Sequence, residues 1–338
     1  MTSRERVINV LEHREIDRFP RILWNLPNVS MFHPEKLRDF HRRFPGDFGG
    51  ADIRWGQSRY TNGIPFAQDG YMDEFGCTWA LAEPGVNGEI KQPIFADWKA
   101  LDDYKMPTEI LDDADLSYTN ESCKKSESFI LAGTKIRPFE RMQFMRGTED
   151  FFMDLALGSP EVERLAKMLH EFALRELEML VNTDVDAISF MDDWGTQTSL
   201  LISPATWRTL FKPMYREYCE MARAKGKYVF FHSDGNIELI YPDLVEIGIH
   251  AVNSQLFCMD IEKVVENHGD KICFNGEIDR QHLLPFGTTD EVRAAVQRVA
   301  NAVIAKNGKR TGAIAQCEWN AIDPYENILA VYEEWDRM

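Results

Sequence analysis

The sequence predicts an α/β chain folded as a (β/α)8 TIM barrel, with N-terminal helices and a long irregular insertion between the early strands. Two observations predict it. Eight short apolar runs can be counted along the chain, and the last six alternate with helical patterns, which calls for a parallel sheet with helical crossovers. Eight such units in 338 residues favour a closed barrel over an open doubly wound sheet. The whole chain, 1–338, reads as one domain of this kind, with 56–128 as the irregular insertion.

Thr2-Ser3-Arg4-Glu5 has the form of a capping box and opens a short helix with Val7, Val10 and Leu11 on one face. Asp17-Arg18-Phe19-Pro20 ends it, and Arg21–Trp24 follows as the first strand. His33 to Phe48 reads as a polar helix closed by Pro45-Gly46, and Ala51–Trp55 as the second strand. The insertion is aromatic-rich, broken by Pro and Gly, acidic between Asp97 and Asp115, and expected to carry a hairpin or two.

The rhythm is regular from Phe129. Phe129–Ala132 is a strand, and Phe139 to Leu157 a helical stretch rich in Phe and Met. Ser159-Pro160-Glu161 opens a helix to Val181, with Pro in the first turn, where its missing N–H is harmless. Ala187–Met191 is a strand leading into Asp192-Asp193. Ser203-Pro204 opens a helix to Ala224. The run Tyr228–Phe231 is a buried strand ending at His232-Ser233-Asp234-Gly235. A helix over Ile237–Ile247, the strand His250–Ser254, the helix Ile261–Asn267 and the strand Lys271–Asn275 follow. Thr289–Lys306 is an amphipathic helix with Val292, Val296, Val299 and Val303 on one face. Thr311–Gln316 is the last strand, and Asp323-Pro324 caps the helix Tyr325–Trp335.

Composition narrows the function. A hydrophobic fraction of 44%, with 21 Phe and 14 Met, supplies a packed core. Net charge is −17, from 55 acidic and 38 basic residues, which argues against nucleic acid or an anionic membrane as the main partner. The charged N-terminus has no apolar signal-peptide core, and no run reaches the ~18 apolar residues of a membrane span. The six scattered cysteines lack CxxC spacing and are expected as thiols in a soluble, cytoplasmic protein. Trp and Phe near both termini permit a homodimer. Neither G-x-G-x-x-G nor a P-loop occurs, so dinucleotides and nucleoside triphosphates are not expected ligands.

In a barrel the strand ends converge on one mouth, where chemistry resides. Residues just after the strands are Trp24-Asn25, Asp192-Asp193, His232-x-Asp234, Gln255, Glu277-x-Asp279 and Cys317. His, Asp, Glu and Cys are the main zinc ligands, and a catalytic zinc keeps three of them with one open position. His232, Glu277 and Cys317 come from three strands and form the expected metal set, with Asp234 as a replacement for Glu277 or an orienter of the imidazole. His232 and Asp234 share one face of a strand end, which also suits a base and its orienter; with Asp193 they are the candidate catalytic residues. Trp24, Asn25, Asp192 and Gln255 are candidate substrate contacts, and Met145, from the Phe/Met cluster, a candidate wall of an apolar substrate pocket. The bland alternatives are a turn acid at Asp234 or Glu277 and a buried hydrophobe at Cys317.

Five blocks carry a resemblance: MTSRERV…LEHREIDRFP, DDWGTQTSLLISPATWRTLFKPMY, HSDGNI…DLVEIGI, GEIDRQHLLPFGTTDEVR and DPYENILAVYE. Together they resemble the uroporphyrinogen decarboxylase-like superfamily over nearly the whole chain, least over 56–128. That resemblance implies a (β/α)8 barrel and two possible chemistries. The cofactor-free decarboxylases bind their polycarboxylated tetrapyrrole with an arginine-rich M-R-Q-A-G-R stretch after the first strand. Here Leu23-Trp24-Asn25-Leu26-Pro27-Asn28 has no arginine, so this lyase is the alternative reading, beside a non-catalytic small-molecule-binding barrel.

The other branch is similar to corrinoid-dependent methyltransferases, whose zinc is held by an H-x-C pair and a distant cysteine. His232 and Cys317 match two of these, and Asp234 stands where the first cysteine would be. A harder ligand set suits an oxygen-bearing substrate. The resemblance therefore implies a zinc-dependent methyltransferase of the O-demethylase type. It would take a methyl group from a small methoxylated, aromatic or other, substrate to the cobalt of a corrinoid protein.

Overall fold

The computed structural model describes residues 1–65, 70–80 and 88–338. Its main sheet has eight parallel strands: β1 Arg21–Asn25, β2 Phe48–Gly50, β6 Phe129–Gly133, β7 Ala187–Met191, β8 Tyr228–Ser233, β9 Ala251–Ser254, β10 Cys273–Gly276 and β11 Ala313–Trp319. Three short strands, β3 Tyr71–Met72, β4 Thr78–Ala80 and β5 Glu89–Gln92, form a separate antiparallel sheet within the insertion. The order β1-β11-β10-β9-β8-β7-β6-β2 runs round a nearly closed barrel with helices around it. The expected (β/α)8 barrel is the observed fold. No helix among the described residues is long and apolar enough to cross a membrane.

β1 and β2 are the two ends of that order, with no strand ladder between them. Asp47 joins them instead. Its N–H donates to the Arg21 carbonyl at 2.9 Å, and its fully buried carboxylate accepts the Arg21 N–H at 2.8 Å. The same carboxylate takes guanidinium bonds from Arg6 (2.6 Å) and Arg18 (2.7 Å), while the Asp47 carbonyl accepts the N–H of Phe129. A buried carboxylate is costly unless paired, and here every approach to it is a donor. The N-terminal helix Ser3–Leu11, which supplies Arg6, has the expected capping box and buries Val7, Val10 and Leu11.

By packing the chain forms two compact units. The first, 1–51, 125–133 and 185–338, holds all eight barrel strands. The second, 52–124 and 134–184, holds the small antiparallel sheet and the helices Pro138–Arg146, Thr148–Leu157 and Pro160–Val181. Its central ion pair is Asp73 with Arg141. The Asp73 carboxylate accepts N–H groups of Phe75 and Cys77 on one oxygen, and Trp79 Nε1 and Arg141 Nη1 on the other. Arg141 also lies over the Phe75 ring, 4.2 Å from its centroid.

Four expectations are corrected. The second strand is β2 at Phe48–Gly50, not Ala51–Trp55, so the preceding helix is shorter, Pro34–Arg43. The helical stretch Phe139–Leu157 is broken at Gly147, whose φ of +89° turns the chain between two helices. The helix from Ser203 to Ala224 contains a π turn, Trp207–Phe211. Asp323 does not cap the last helix; its side chain accepts the N–H of Asn320 inside the preceding loop.

Candidate metal centre

Alternation along the strands decides which side chains meet inside the barrel. Parallel register sets His232 on β8 beside Asn253 on β9, and Asn253 beside Asn275 on β10. On β11, Gln316 and Glu318 share the inner face: Gln316 Oε1 receives a bond from Asn253 and Glu318 one from Arg280. Trp24, the register partner of Glu318, places its ring 4.9 Å from that of His232.

The centre of the cluster is His232, 6% exposed. Its Nε2 lies 3.5 Å from Asp193 Oδ1 and 3.5 Å from Asp234 Oδ1. Asp193 and Asp234 follow β7 and β8, and the loops that carry them are joined by hydrogen bonds beyond the strands. Asp234 N–H donates to Asp193 Oδ1 (2.8 Å), Gly195 N–H to the Asp234 carbonyl (3.1 Å) and Asn236 N–H to the Thr196 carbonyl (2.7 Å). This approach requires glycine twice. A Cβ on Gly235, at φ +75°, would lie 2.3 Å from the Gly195 carbonyl carbon, and one on Gly195 would meet Asp234 O at 2.7 Å.

Electrostatics follow from the crowding. Burial pushes the His232 imidazole down, but hydrogen bonding and charge from Asp193, the Asp234 charge and the Asn253 bond outweigh it, raising it to about 9. The ring is therefore charged at neutral pH, and a metal bound at Nε2 would have to displace that proton. Arg280 bonds Asp234 Oδ2, reaches Glu318 Oε2 at 2.7 Å and lies 3.4 Å from Glu277 Oε1. Burial pushes the Glu277 carboxyl up to about 7, against the nearby Arg280 charge.

Asp193, His232 and Asp234 are the group of potential metal ligands found among the described residues, with their ligand atoms all within 4.8 Å of one another. Tetrahedral zinc with bonds near 2.1 Å has ligand–ligand edges of about 3.4 Å. The two His232 edges, both 3.5 Å, fit that geometry. Asp234 Oδ1 is buried, makes no hydrogen bond and faces His232 Nε2 at 3.5 Å. One nitrogen and two carboxylates leave a tetrahedral position open.

Comparison with known proteins places the fold. The uroporphyrinogen decarboxylase (URO-D) family matches residues 64–330. The chain belongs to that family. No curated protein matches it in sequence. In structure this URO-D chain is similar to a methyltransferase from Methanosarcina mazei, with a TM-score of 0.71 and 15% identity over 100% of this chain and 99% of that one. It also aligns with an endo-β-1,4-xylanase from Gloeophyllum trabeum, with a TM-score of 0.44 and 10% identity over 94% and 96%.

The URO-D barrel gathers the three candidate catalytic residues, Asp193, His232 and Asp234. It does not gather the expected metal set of His232, Glu277 and Cys317. β11 continues to Trp319, so Cys317 falls on the face opposite Gln316 and Glu318; its thiol is buried against the Tyr332 hydroxyl (3.9 Å), and burial pushes its ionisation far up. Glu277 stays with Arg280. Asp279 caps its own turn, accepting from the N–H groups of Gln281 and His282.

Among the expected substrate contacts, Trp24 lies against His232. Gln255 braces the site, its Oε1 accepting the Gly235 N–H at 3.0 Å. Asn25 donates instead to the Leu26 carbonyl and Ser30 Oγ, and fully buried Asp192 accepts the Tyr215 hydroxyl at 2.7 Å. Met145 is fully buried in the second unit, its carbonyl accepting the Phe95 N–H.

Sequence reasoning missed Asn253, Arg280, Gln316 and Glu318. A signal existed for two of them: an amide inside an otherwise apolar strand, as in Ala-Val-Asn-Ser and Ile-Ala-Gln-Cys, marks a polar layer in the barrel.

Proposed function

We propose that this URO-D family chain is a zinc-dependent methyltransferase of the O-demethylase type. It moves a methyl group from a small methoxylated substrate to the cobalt of a corrinoid held by a partner protein. The observation that carries the metal is the convergence of Asp193, His232 and Asp234 around an Asp234 oxygen that makes no hydrogen bond. The fold likeness to a methyltransferase supports the transfer chemistry.

Bound zinc supplies Lewis acidity to the oxygen from which the methyl group departs. The chain's own residues prepare that event. Asn253 holds the His232 ring from behind, and the Asp193–Gly195 and Asp234–Asn236 loops fix both carboxylates before any ligand arrives. Arg280 binds the outer oxygen of Asp234 and so turns the inner one toward His232. The Trp24 ring gives the methoxylated substrate an apolar wall beside the imidazole.

The test is metal content of purified protein, followed by methyl transfer to a reduced corrinoid protein. About one zinc per chain is expected in wild type and in Cys317→Ala, and none in His232→Ala or Asp193→Ala. Loss of zinc in Cys317→Ala, or turnover of a methoxylated donor that survives a chelator, overturns the reading. Porphyrinogen turnover in the presence of chelator would instead favour the cofactor-free lyase, with the His232 imidazolium as proton donor.

A further inference from the structure

The imidazole of His232 is held by an amide, where metal-binding histidines commonly lean on a carboxylate, a backbone carbonyl or water. Its Nδ1 lies 2.5 Å from Asn253 Oδ1, across one rung of the β8–β9 ladder. The amide nitrogen of Asn253 donates to the Asn275 carbonyl and to Gln316 Oε1, both at 3.3 Å. Asn253 is 3% exposed, so these partners complete its surroundings. With its N–H groups so engaged, only its oxygen faces the ring. Nδ1 therefore carries hydrogen, and Nε2 is the nitrogen that faces Asp193 and Asp234.

A histidine that donates to a carboxylate becomes a more electron-rich ligand; one that donates to a neutral amide is left poorer. A poorer ligand binds the cation less tightly and withdraws less of its positive charge. We propose that Asn253 is a positioning residue that fixes His232 with Nε2 toward the metal and, by being an amide, keeps the bound metal strongly electrophilic at a cost in affinity. The inference rests on the reading that a divalent metal sits on Asp193, His232 and Asp234, and adds which residue tunes it.

The experiment is the zinc dissociation constant, by competition with a chromophoric chelator, for wild type, Asn253→Asp and Asn253→Leu, with circular dichroism to verify folding. Asn253→Asp strengthens the acceptor behind Nδ1, and Gln316 has an unpartnered buried Nε2 that can turn to meet the new carboxylate. Zinc binding is expected to tighten roughly tenfold in Asn253→Asp and to weaken by about 10- to 100-fold in Asn253→Leu. A residue that only fills space would shift both variants the same way. A nitrogen-15 spectrum of histidine-labelled, zinc-loaded wild type gives a second readout independent of any variant: Nδ1 protonated and Nε2 ligated is expected. Equal or absent shifts in the two variants, or zinc on Nδ1, overturn this inference while leaving the metal site in place. Wild type that binds no zinc overturns both.

Discussion

Two charge clusters, one in each compact unit, differ in how fully their carboxylate oxygens are hydrogen-bonded. In the second unit, both oxygens of Asp73 are saturated by two backbone N–H groups, an indole and a guanidinium. In the barrel, Asp234 uses Oδ2 on Arg280 and leaves Oδ1 buried without a hydrogen bond, 3.5 Å from His232 Nε2. A carboxylate with both oxygens saturated has nothing left to offer a cation and acts as a fastening; one with an oxygen outside any hydrogen bond keeps binding capacity. Residue type alone separates the two poorly, since each is a carboxylate near an arginine.

The largest effect that can break this comparison is in the fastening. Arg141→Ala leaves Asp73 as a buried, unpaired charge and is expected to cost about 3–5 kcal/mol in denaturant unfolding. Retained stability in that variant would mean that saturation says little about role.

A second, smaller effect comes from Glu176, fully buried in the same unit and bound by the N–H groups of Lys135 and Ile136. Burial holds its carboxyl up to about 7, above the 4.5 of an unperturbed glutamate. The folded state thus keeps its proton longer than the unfolded chain. Its contribution is full below about 4.5 and declines as pH rises to about 7, by on the order of 2–3 kcal/mol. Unfolding curves across this window should fall less steeply in Glu176→Gln than in wild type, by that amount, the remaining slope coming from groups such as Glu277.

The smallest effect on stability sharpens the comparison from the other side. Gly235→Ala forces a Cβ into the Gly195 backbone and is expected to cost about 1–3 kcal/mol. Because it shifts the loop carrying Asp234, it should lower zinc content far more than Arg141→Ala does among molecules that remain folded. Unchanged zinc stoichiometry in Gly235→Ala would show that the two loops need not be joined for the site to form.

Much of the barrel was legible because its strands are aromatic and β-branched runs with clear ends; Ala187–Met191 was read to the residue. β2 was not, because Phe48-Gly49-Gly50 has two glycines and follows a helix without an apolar run of its own. Its place is set by pairing with β6 and by the bonds that tie the adjacent Asp47 to Arg21, and both partners are distant in sequence. At the site, His232, Asp234 and Asp193 were legible as polar residues at strand ends. Cys317 was misread because the last strand was ended at Gln316. Three more extended residues turn the thiol outward and bring Glu318 in, a reversal that period-two geometry makes unavoidable. Arg280 lies in a loop where the acids Glu277 and Asp279 are the stronger sequence signals for a metal site.

The Asp47 junction has a mechanical consequence. Seven of the barrel's joints are ladders that share load along a strand, whereas the joint between β1 and β2 hangs on one residue, Asp47, and the arginines around it. A cavity of about 180 Å³, lined by Arg21, Phe44, Phe48 and Tyr332, lies along the same seam. Tension applied at the N-terminus is expected to draw Arg6 away first and open the cylinder there, like a hoop parting at its rivet. Amide protons beside the rivet, at Arg21, Asp47 and Phe129, would then be the first of the barrel to exchange with solvent.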